Sequence, residues 1–104
     1  MTQITVEELK ARLDKGEDVH LVDVREDHEH AEFNIGGTHH KLGLIQTMQT
    51  DQIDDWKDEE VIMYCRSGNR SGQAALILET MGFKNVVNLS GGMLAWQEKY
   101  VKPM

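Results

Sequence analysis

VIMYCRSGNRSG occupies residues 61–72, and it joins a short apolar run to a polar loop that holds the only cysteine of the chain. Residues 61–64 have the length and β-branched character of a buried strand, and small polar residues follow before a helical segment begins near Ser71. Two further runs of the same character occupy residues 19–24 and 86–89. Apolar runs of this length predict strands covered on both faces, as in a parallel sheet.

Helical spacing fills the segments between these runs. Thr5 opens the S/T-x-x-E pattern of a capping box, which predicts a first helix that ends at Gly16. A second helix is predicted over about 71–81, and a third begins near Met93. Residues 42–58 predict only short helical turns.

The alternation of strands and helices predicts an α/β fold. We expect one domain over residues 1–104, with a mainly parallel sheet of about five strands and helices on both faces. In such a sheet, ligands bind beyond the carboxyl ends of the strands. Residues 23–25, Cys65 and residues 90–92 each close or directly follow an apolar run. The sequence therefore predicts that these three segments meet at one edge.

The loop around Cys65 has the composition of an anion site. A strand-to-helix turn leaves backbone N–H groups without partners, and these groups can converge on one point. Gly68 permits a positive φ and Asn69 tolerates similar geometry, so the loop can curl around the sulfur. Arg66 and Arg70 add positive charge. This environment is expected to lower the pKa of the Cys65 thiol and to make it a nucleophile.

A structural interpretation competes with this one, because a lone buried cysteine is more often an inert packing residue. A cysteine that only packs in the core would not need two arginines and a run of small polar residues around it. We therefore favour a catalytic or anion-binding role for Cys65.

Residues 65–70, Cys-Arg-Ser-Gly-Asn-Arg, resemble the active-site loop of single-domain rhodanese-like sulfurtransferases of the thiosulfate sulfurtransferase type. Residues 21–38 are similar to the family's D-V-R-E…E…G-H-I-x-G-A block, and residues 90–96 to its G-G-x-x-A-W block. The resemblance implies a rhodanese-like three-layer domain. Asn34 and Gly36 stand where the family often has histidine and proline, and both belong to a connecting loop outside the sulfur chemistry.

The resemblance also implies a mechanism. The Cys65 thiolate would take a sulfane sulfur from thiosulfate or a similar small anionic donor, carry it as a persulfide, and pass it to cyanide or a thiol, including a protein thiol. Neither a cofactor nor a metal is required. The residues implied to bind the donor and the transferred sulfur are Arg66, Ser67, Gly68, Asn69 and Arg70.

Two alternatives remain open. Tyrosine-type phosphatases and arsenate reductases also place a cysteine and an arginine in an anion-binding loop, but five residues separate the two in that loop, whereas four separate Cys65 from Arg70. The other alternative is a rhodanese-like module that relays sulfur or binds a partner without turnover. Persulfide formation without transfer to small acceptors would favour that module.

Charge and composition limit the class of partner. With 11 basic and 18 acidic residues the net charge is −7, so we expect neither nucleic acid nor an anionic membrane as a partner. No apolar stretch approaches the ~18 residues of a membrane-spanning helix. Residues 1–8 lack the basic start and apolar run of a signal peptide, which predicts a cytoplasmic location.

Several polar segments have simpler interpretations. The histidines show no recognisable ligand spacing, so no metal site is predicted. Residues 26–32 and residues 51–60 are interpreted as solvated surface segments. Asp23 and Arg25 are expected to form an ion pair that braces the loop at the end of a strand.

Overall fold

The computed structural model describes residues 1–101, so the last three residues of the predicted 1–104 domain lie outside the described residues. Strands and helices alternate along this range, as the sequence pattern predicts. The elements are β1 (Thr2–Ile4), α1 (Val6–Asp14), β2 (His20–Asp23), α2 (Asp27–Glu32), β3 (Thr38–His39), α3 (Leu42–Gln46), a 3-10 turn (Asp54–Trp56), β4 (Glu60–Tyr64), α4 (Asn69–Thr80), β5 (Asn85–Leu89) and α5 (Gly92–Tyr100).

The five strands of the described residues form one parallel sheet in the order β1-β5-β4-β2-β3. The central strand β4 pairs with β2, where Tyr64 lies opposite Asp23, and with β5, where Met63 lies opposite Asn88. The carboxyl ends of β2, β4 and β5 therefore meet at one edge. The predicted α/β fold with a parallel sheet of about five strands is confirmed.

Helices cover both faces of this sheet, as predicted. Successive side chains of a strand point to opposite faces, so Met63 packs on one face with Leu78 of α4, whereas Ile62 packs on the other with Leu9 of α1 and Trp96 of α5. The result is three layers. Within residues 1–101, no helix combines the length and the apolar character needed to cross a membrane.

The helix boundaries follow local hydrogen bonding. The predicted capping box is present, since Glu8 N donates to the Thr5 hydroxyl at 3.1 Å and Thr5 N donates to the Glu8 carboxylate at 3.0 Å. α4 begins earlier than predicted, at Asn69, because Gly68 takes a left-handed conformation with φ of 102° and turns the chain into the helix at once. α5 begins at Gly92, close to its predicted start.

Apolar periodicity did not locate three of the elements. β1 has three residues and β3 has two, which is too short for a pattern of period 2 to be visible. The prediction that residues 26–32 are only a solvated segment was incomplete, because Asp27–Glu32 forms α2. This helix buries none of its residues. Instead, Glu26 N donates to the Glu29 carboxylate at 3.0 Å at its start.

Candidate active site

Cys65 lies directly after the central strand β4, at the edge of the sheet where β2 and β5 also end. Gly68 then turns the chain into α4 with φ of 102°. This conformation costs a residue with a Cβ about 1–2 kcal/mol, which explains why glycine suits the position. The amides of the loop and of the first turn of α4 therefore converge on the Cys65 side chain.

Gly68 and Ser71 place hydrogen-bond donors close to Cys65 Sγ. Gly68 N lies 3.1 Å from the sulfur, and Ser71 N and the Ser71 hydroxyl oxygen each lie 3.4 Å from it. Cys65 is only 1% exposed, so these donors take the place of water around the sulfur. The convergence of backbone amides that the loop sequence predicts is present at Gly68 N and Ser71 N.

These contacts determine the acidity of Cys65. Burial by itself raises the pKa of the thiol, because a thiolate loses hydration in the interior. Hydrogen bonds from the Ser71 hydroxyl and amide, the Gly68 amide and the Ser67 amide favour the thiolate and together outweigh burial, so the pKa lies below its ordinary value. The thiolate is the nucleophilic form of cysteine. The loop can therefore support nucleophilic chemistry at Sγ.

The two loop arginines differ in their surroundings. Arg70 makes a bidentate ion pair with Glu29 of α2, at N–O distances of 2.7 and 2.8 Å. The hydrogen bonds from Arg70 are the largest cause that lowers the pKa of Glu29 to about 2. Arg66 is exposed, lines a pocket of about 230 Å³ beside the loop, and joins no ion pair within the described residues. A ligand could thus meet Arg66 without displacing a partner.

The start of α5 anchors the other side of the loop. Met93 N donates to the Cys65 carbonyl and Leu94 N to the Arg66 carbonyl, each at 2.9 Å. Gly92 has φ of 53°, and a Cβ there would collide with the same two carbonyl oxygens. The contact turns the carbonyls of Cys65 and Arg66 towards α5, which leaves the amides on the sulfur side. The sequence placed residues 90–92 at this edge but gave no sign of this anchoring role.

A buried polar chain runs behind the sulfur. The Ser71 hydroxyl lies 2.5 Å from Asn88 Oδ1, while Asn88 Nδ2 donates to the Gly68 carbonyl at 3.1 Å and to Gln3 Oε1 at 3.2 Å. Ser71 is fully buried and Asn88 is 5% exposed. Sequence reasoning missed Asn88, because a single asparagine in an apolar strand carries no motif. Its only signal was its polarity at a position expected to be buried.

Asp23 and Arg25 form the predicted ion pair at the end of β2. Arg25 Nε and a second guanidinium nitrogen donate to the Asp23 carboxylate at 2.9 and 2.8 Å, and His30 Nδ1 lies 2.8 Å from the same carboxylate. Asp23 is fully buried and Arg25 is 5% exposed. Burial raises the pKa of Asp23, but the hydrogen bonds from Arg25 and His30 outweigh it and keep the pKa below its usual value.

The histidines of the described residues do not form one cluster. The rings of His30 and His39 stack with their centroids 4.6 Å apart, and His39 Nε2 lies 2.7 Å from the Arg25 carbonyl. His40 is buried elsewhere, 3% exposed. Residues 1–101 contain no group of three or more histidine, cysteine, aspartate and glutamate side chains that could hold a metal ion. The expectation of a metal-free site stays a prediction.

The chain is similar to known proteins over most of its length. Residues 5–99 match the family described as "Rhodanese-like domain". A Bacillus subtilis protein named putative sulfurtransferase YtwF is 41% identical over 97 residues, which cover 91% of this chain and 89% of that protein. An Allochromatium vinosum protein named sulfurtransferase is 38% identical over 96 residues, which cover 92% and 88%. The crystal structure of a rhodanese-like domain protein from Staphylococcus aureus has a TM-score of 0.78 at 34% identity and covers 92% of this chain and 91% of that one.

Proposed function

The chain belongs to the rhodanese-like domain family, and on that premise we propose that it is a sulfurtransferase whose Cys65 carries the transferred sulfur as a persulfide. Its similarity to two proteins named as sulfurtransferases supports the class of reaction. The geometry around Sγ is the single observation that carries the assignment to Cys65. Three donors within 3.4 Å hold a sulfur whose pKa lies below its ordinary value.

The proposed reaction has two displacements. The Cys65 thiolate attacks the outer sulfur of thiosulfate, a new S–S bond forms, and the S–S bond of the donor breaks with its electron pair on the departing sulfite. An acceptor, cyanide or a thiolate, then attacks the outer sulfur of the persulfide, and the electron pair of the broken bond returns to Cys65 Sγ. Each half-reaction begins or ends with a negative charge on sulfur. Fixed amide dipoles stabilise such a charge without reorganising.

The loop residues take distinct parts in this proposal. The backbone amides of Ser67 and Gly68, with the first turn of α4 from Asn69, surround the sulfur that reacts. Arg66 attracts the anionic donor, because it is exposed, lines the pocket and joins no ion pair within the part of the chain that the structure describes. Arg70 contributes positive charge from within its ion pair with Glu29. Thiosulfate is the proposed donor, since it is small and dianionic, and the acceptor is a small thiol or a protein thiol.

Mass spectrometry of the intact protein tests the proposal. After incubation with thiosulfate we expect the wild-type chain to gain the mass of one sulfur atom and the Cys65→Ala variant to gain none. Sulfate in place of thiosulfate is the matched control, because it is a similar dianion without a transferable sulfur. Addition of cyanide or a thiol should then remove the extra mass.

The outcomes separate the alternatives. No mass gain in the wild type, or an equal gain in Cys65→Ala, would overturn the proposal. Loading that only a protein thiol can discharge would instead identify a sulfur-relay module. Hydrolysis of an aryl phosphate that is lost in Cys65→Ser would favour a phosphatase-type enzyme.

A further inference from the structure

The Ser71 hydroxyl has one hydrogen and two acceptors within reach. Asn88 Oδ1 lies 2.5 Å from the hydroxyl oxygen, and Cys65 Sγ lies 3.4 Å from it. A serine hydroxyl can donate one full hydrogen bond at a time. Asn88 and Cys65 therefore compete for the same hydrogen at a largely buried position.

The hydrogen bonds of Asn88 Nδ2 determine which atom of the Asn88 amide faces Ser71. Its Nδ2 lies 3.1 Å from the Gly68 carbonyl oxygen and 3.2 Å from Gln3 Oε1, so both of its hydrogens have acceptors. Turning the amide over would bring Oδ1 against the Gly68 carbonyl, oxygen against oxygen. Oδ1 is thus fixed towards Ser71, where it can only accept.

We propose that Asn88 is a positioning residue for the Ser71 hydroxyl. While Sγ is a thiol or a persulfide, the hydroxyl donates its hydrogen to Asn88 Oδ1. When Sγ becomes a thiolate, the hydroxyl rotates and donates to Sγ instead. In the thiol state, the S–H group can donate to the Ser71 oxygen while Ser71 donates to Asn88, so all three groups are satisfied. In the thiolate state, the negative charge on Sγ is the stronger acceptor. Asn88 Oδ1 then loses its donor.

The consequence for sulfur transfer rests on the proposed function, whereas the hydrogen-bond switch itself does not. In a persulfide the negative charge lies on the outer sulfur, so Sγ is a poor acceptor and the hydroxyl points to Asn88. When an acceptor attacks the outer sulfur, the bond to Sγ breaks and its electron pair stays on Sγ. The Ser71 hydroxyl then donates its hydrogen to Sγ as this negative charge forms. By competing for the Ser71 hydrogen, Asn88 limits how far the pKa of the Cys65 thiol falls. This matters because a thiolate becomes a weaker nucleophile as the pKa of its thiol falls.

The charged groups around the loop do not replace this switch. Arg70 of α4 is tied to Glu29 of α2, and Arg25 is tied to Asp23 at the end of β2. Arg66 extends from the loop to the surface. None of these side chains hydrogen-bonds Sγ in the described residues, whereas Ser71 does.

A double-mutant cycle on the Cys65 titration tests the proposal. Because the chain has one cysteine, the ultraviolet absorbance of the thiolate reports Cys65 alone once the Cys65→Ala signal is subtracted. We expect Ser71→Ala to raise the pKa of Cys65 by about one unit and Asn88→Ala to lower it by about half a unit. In the Ser71→Ala background, the Asn88→Ala change should lose this lowering, because the hydroxyl for which it competes is gone.

The difference between the two Asn88→Ala shifts decides the question, because any effect through the Gly68 carbonyl is common to both backgrounds. Equal shifts in both backgrounds would overturn the proposal. Ser71→Thr keeps a hydroxyl and should restore a pKa near that of the wild type, which a purely structural role of Ser71 would not require. Circular dichroism checks folding, and Asn88→Leu, which keeps the branched side-chain skeleton without a polar atom, replaces Asn88→Ala should that variant unfold. No sulfur donor is present, so the result is independent of the sulfurtransferase assignment.

Discussion

Two acidic groups lie at the ends of neighbouring parallel strands, and the structure compensates their negative charges in different ways. Asp23 ends β2 and Cys65 follows β4, where Tyr64 pairs with Asp23. Both are buried, and the pKa of each lies below its ordinary value. At Asp23 the main compensating partner is a cation, Arg25, in a bidentate ion pair. At Cys65 the partners are amides and one hydroxyl.

A cation and a set of hydrogen-bond donors permit different behaviour of the negative charge that they stabilise. A guanidinium matched to a carboxylate neutralises it and fixes one geometry, which suits a structural corner. Amide dipoles stabilise a charge without neutralising it, so an anionic sulfur held by them can still attack or leave. The same sheet edge thus has a rigid half at Asp23 and, on the proposed function, a reactive half at Cys65.

The largest expected effect comes from breaking the rigid half. Asp23→Asn should lower the free energy of unfolding by about 3–5 kcal/mol, because it leaves Arg25 buried without its counter-charge. Urea unfolding followed by tryptophan fluorescence measures the change. Cys65→Ala, in the reactive half, should cost only about 1 kcal/mol.

The control for this experiment removes both charges. Asp23→Leu combined with Arg25→Met should be less destabilised than Asp23→Asn, since no unpaired charge remains. Similar losses for Asp23→Asn and Cys65→Ala would contradict the assignment of different roles to the two halves.

A smaller effect is expected at the ion pair that joins α2 to the reactive half. The pKa of Glu29 is about 2 in the folded chain against an ordinary 4.5, so its contribution to stability is present above the ordinary value and is lost as the pH falls towards 2. Glu29→Gln should therefore cost about 2 kcal/mol at neutral pH, allowing for the partial exposure of Arg70. Urea unfolding at neutral pH and near pH ~3 measures this loss, which should shrink on acidification.

Glu32→Gln is the matched control, because Glu32 belongs to the same helix but is exposed. Its effect should stay within about 0.5 kcal/mol at both pH values. A Glu29→Gln loss that is equal at the two pH values would mean that the Arg70 pair does not set the stability of this contact.

The sequence predicted the parts of this edge that depend on local pattern. The apolar run before Cys65 and the small polar residues after it predict a strand, a turn and a helix, and the convergence of amides on Sγ follows from that geometry. The Asp23–Arg25 pair was predicted because its members are two residues apart at the end of a strand.

Contacts between distant segments could not be predicted in the same way. Glu29 and Arg70 are 41 residues apart, and Ser71 and Asn88 are 17 apart, so each contact depends on how α2 and β5 pack against the loop. α2 was missed as well, since it has no buried residue and therefore no apolar periodicity.

The smallest expected change in stability, and the sharpest contrast with the rigid half, is at Arg66. Arg66→Ala should change the free energy of unfolding by no more than about 0.5 kcal/mol, because this exposed side chain has no ion pair within residues 1–101. It should nevertheless raise the KM for thiosulfate about five- to tenfold through the loss of one charge-assisted contact. Steady-state sulfur transfer to cyanide measures the KM, and added salt should reduce the difference from the wild type.

Arg70→Ala, by contrast, should change both stability and KM, because it also breaks the pair with Glu29. An unchanged KM in Arg66→Ala would show that the loop binds the donor without this cation.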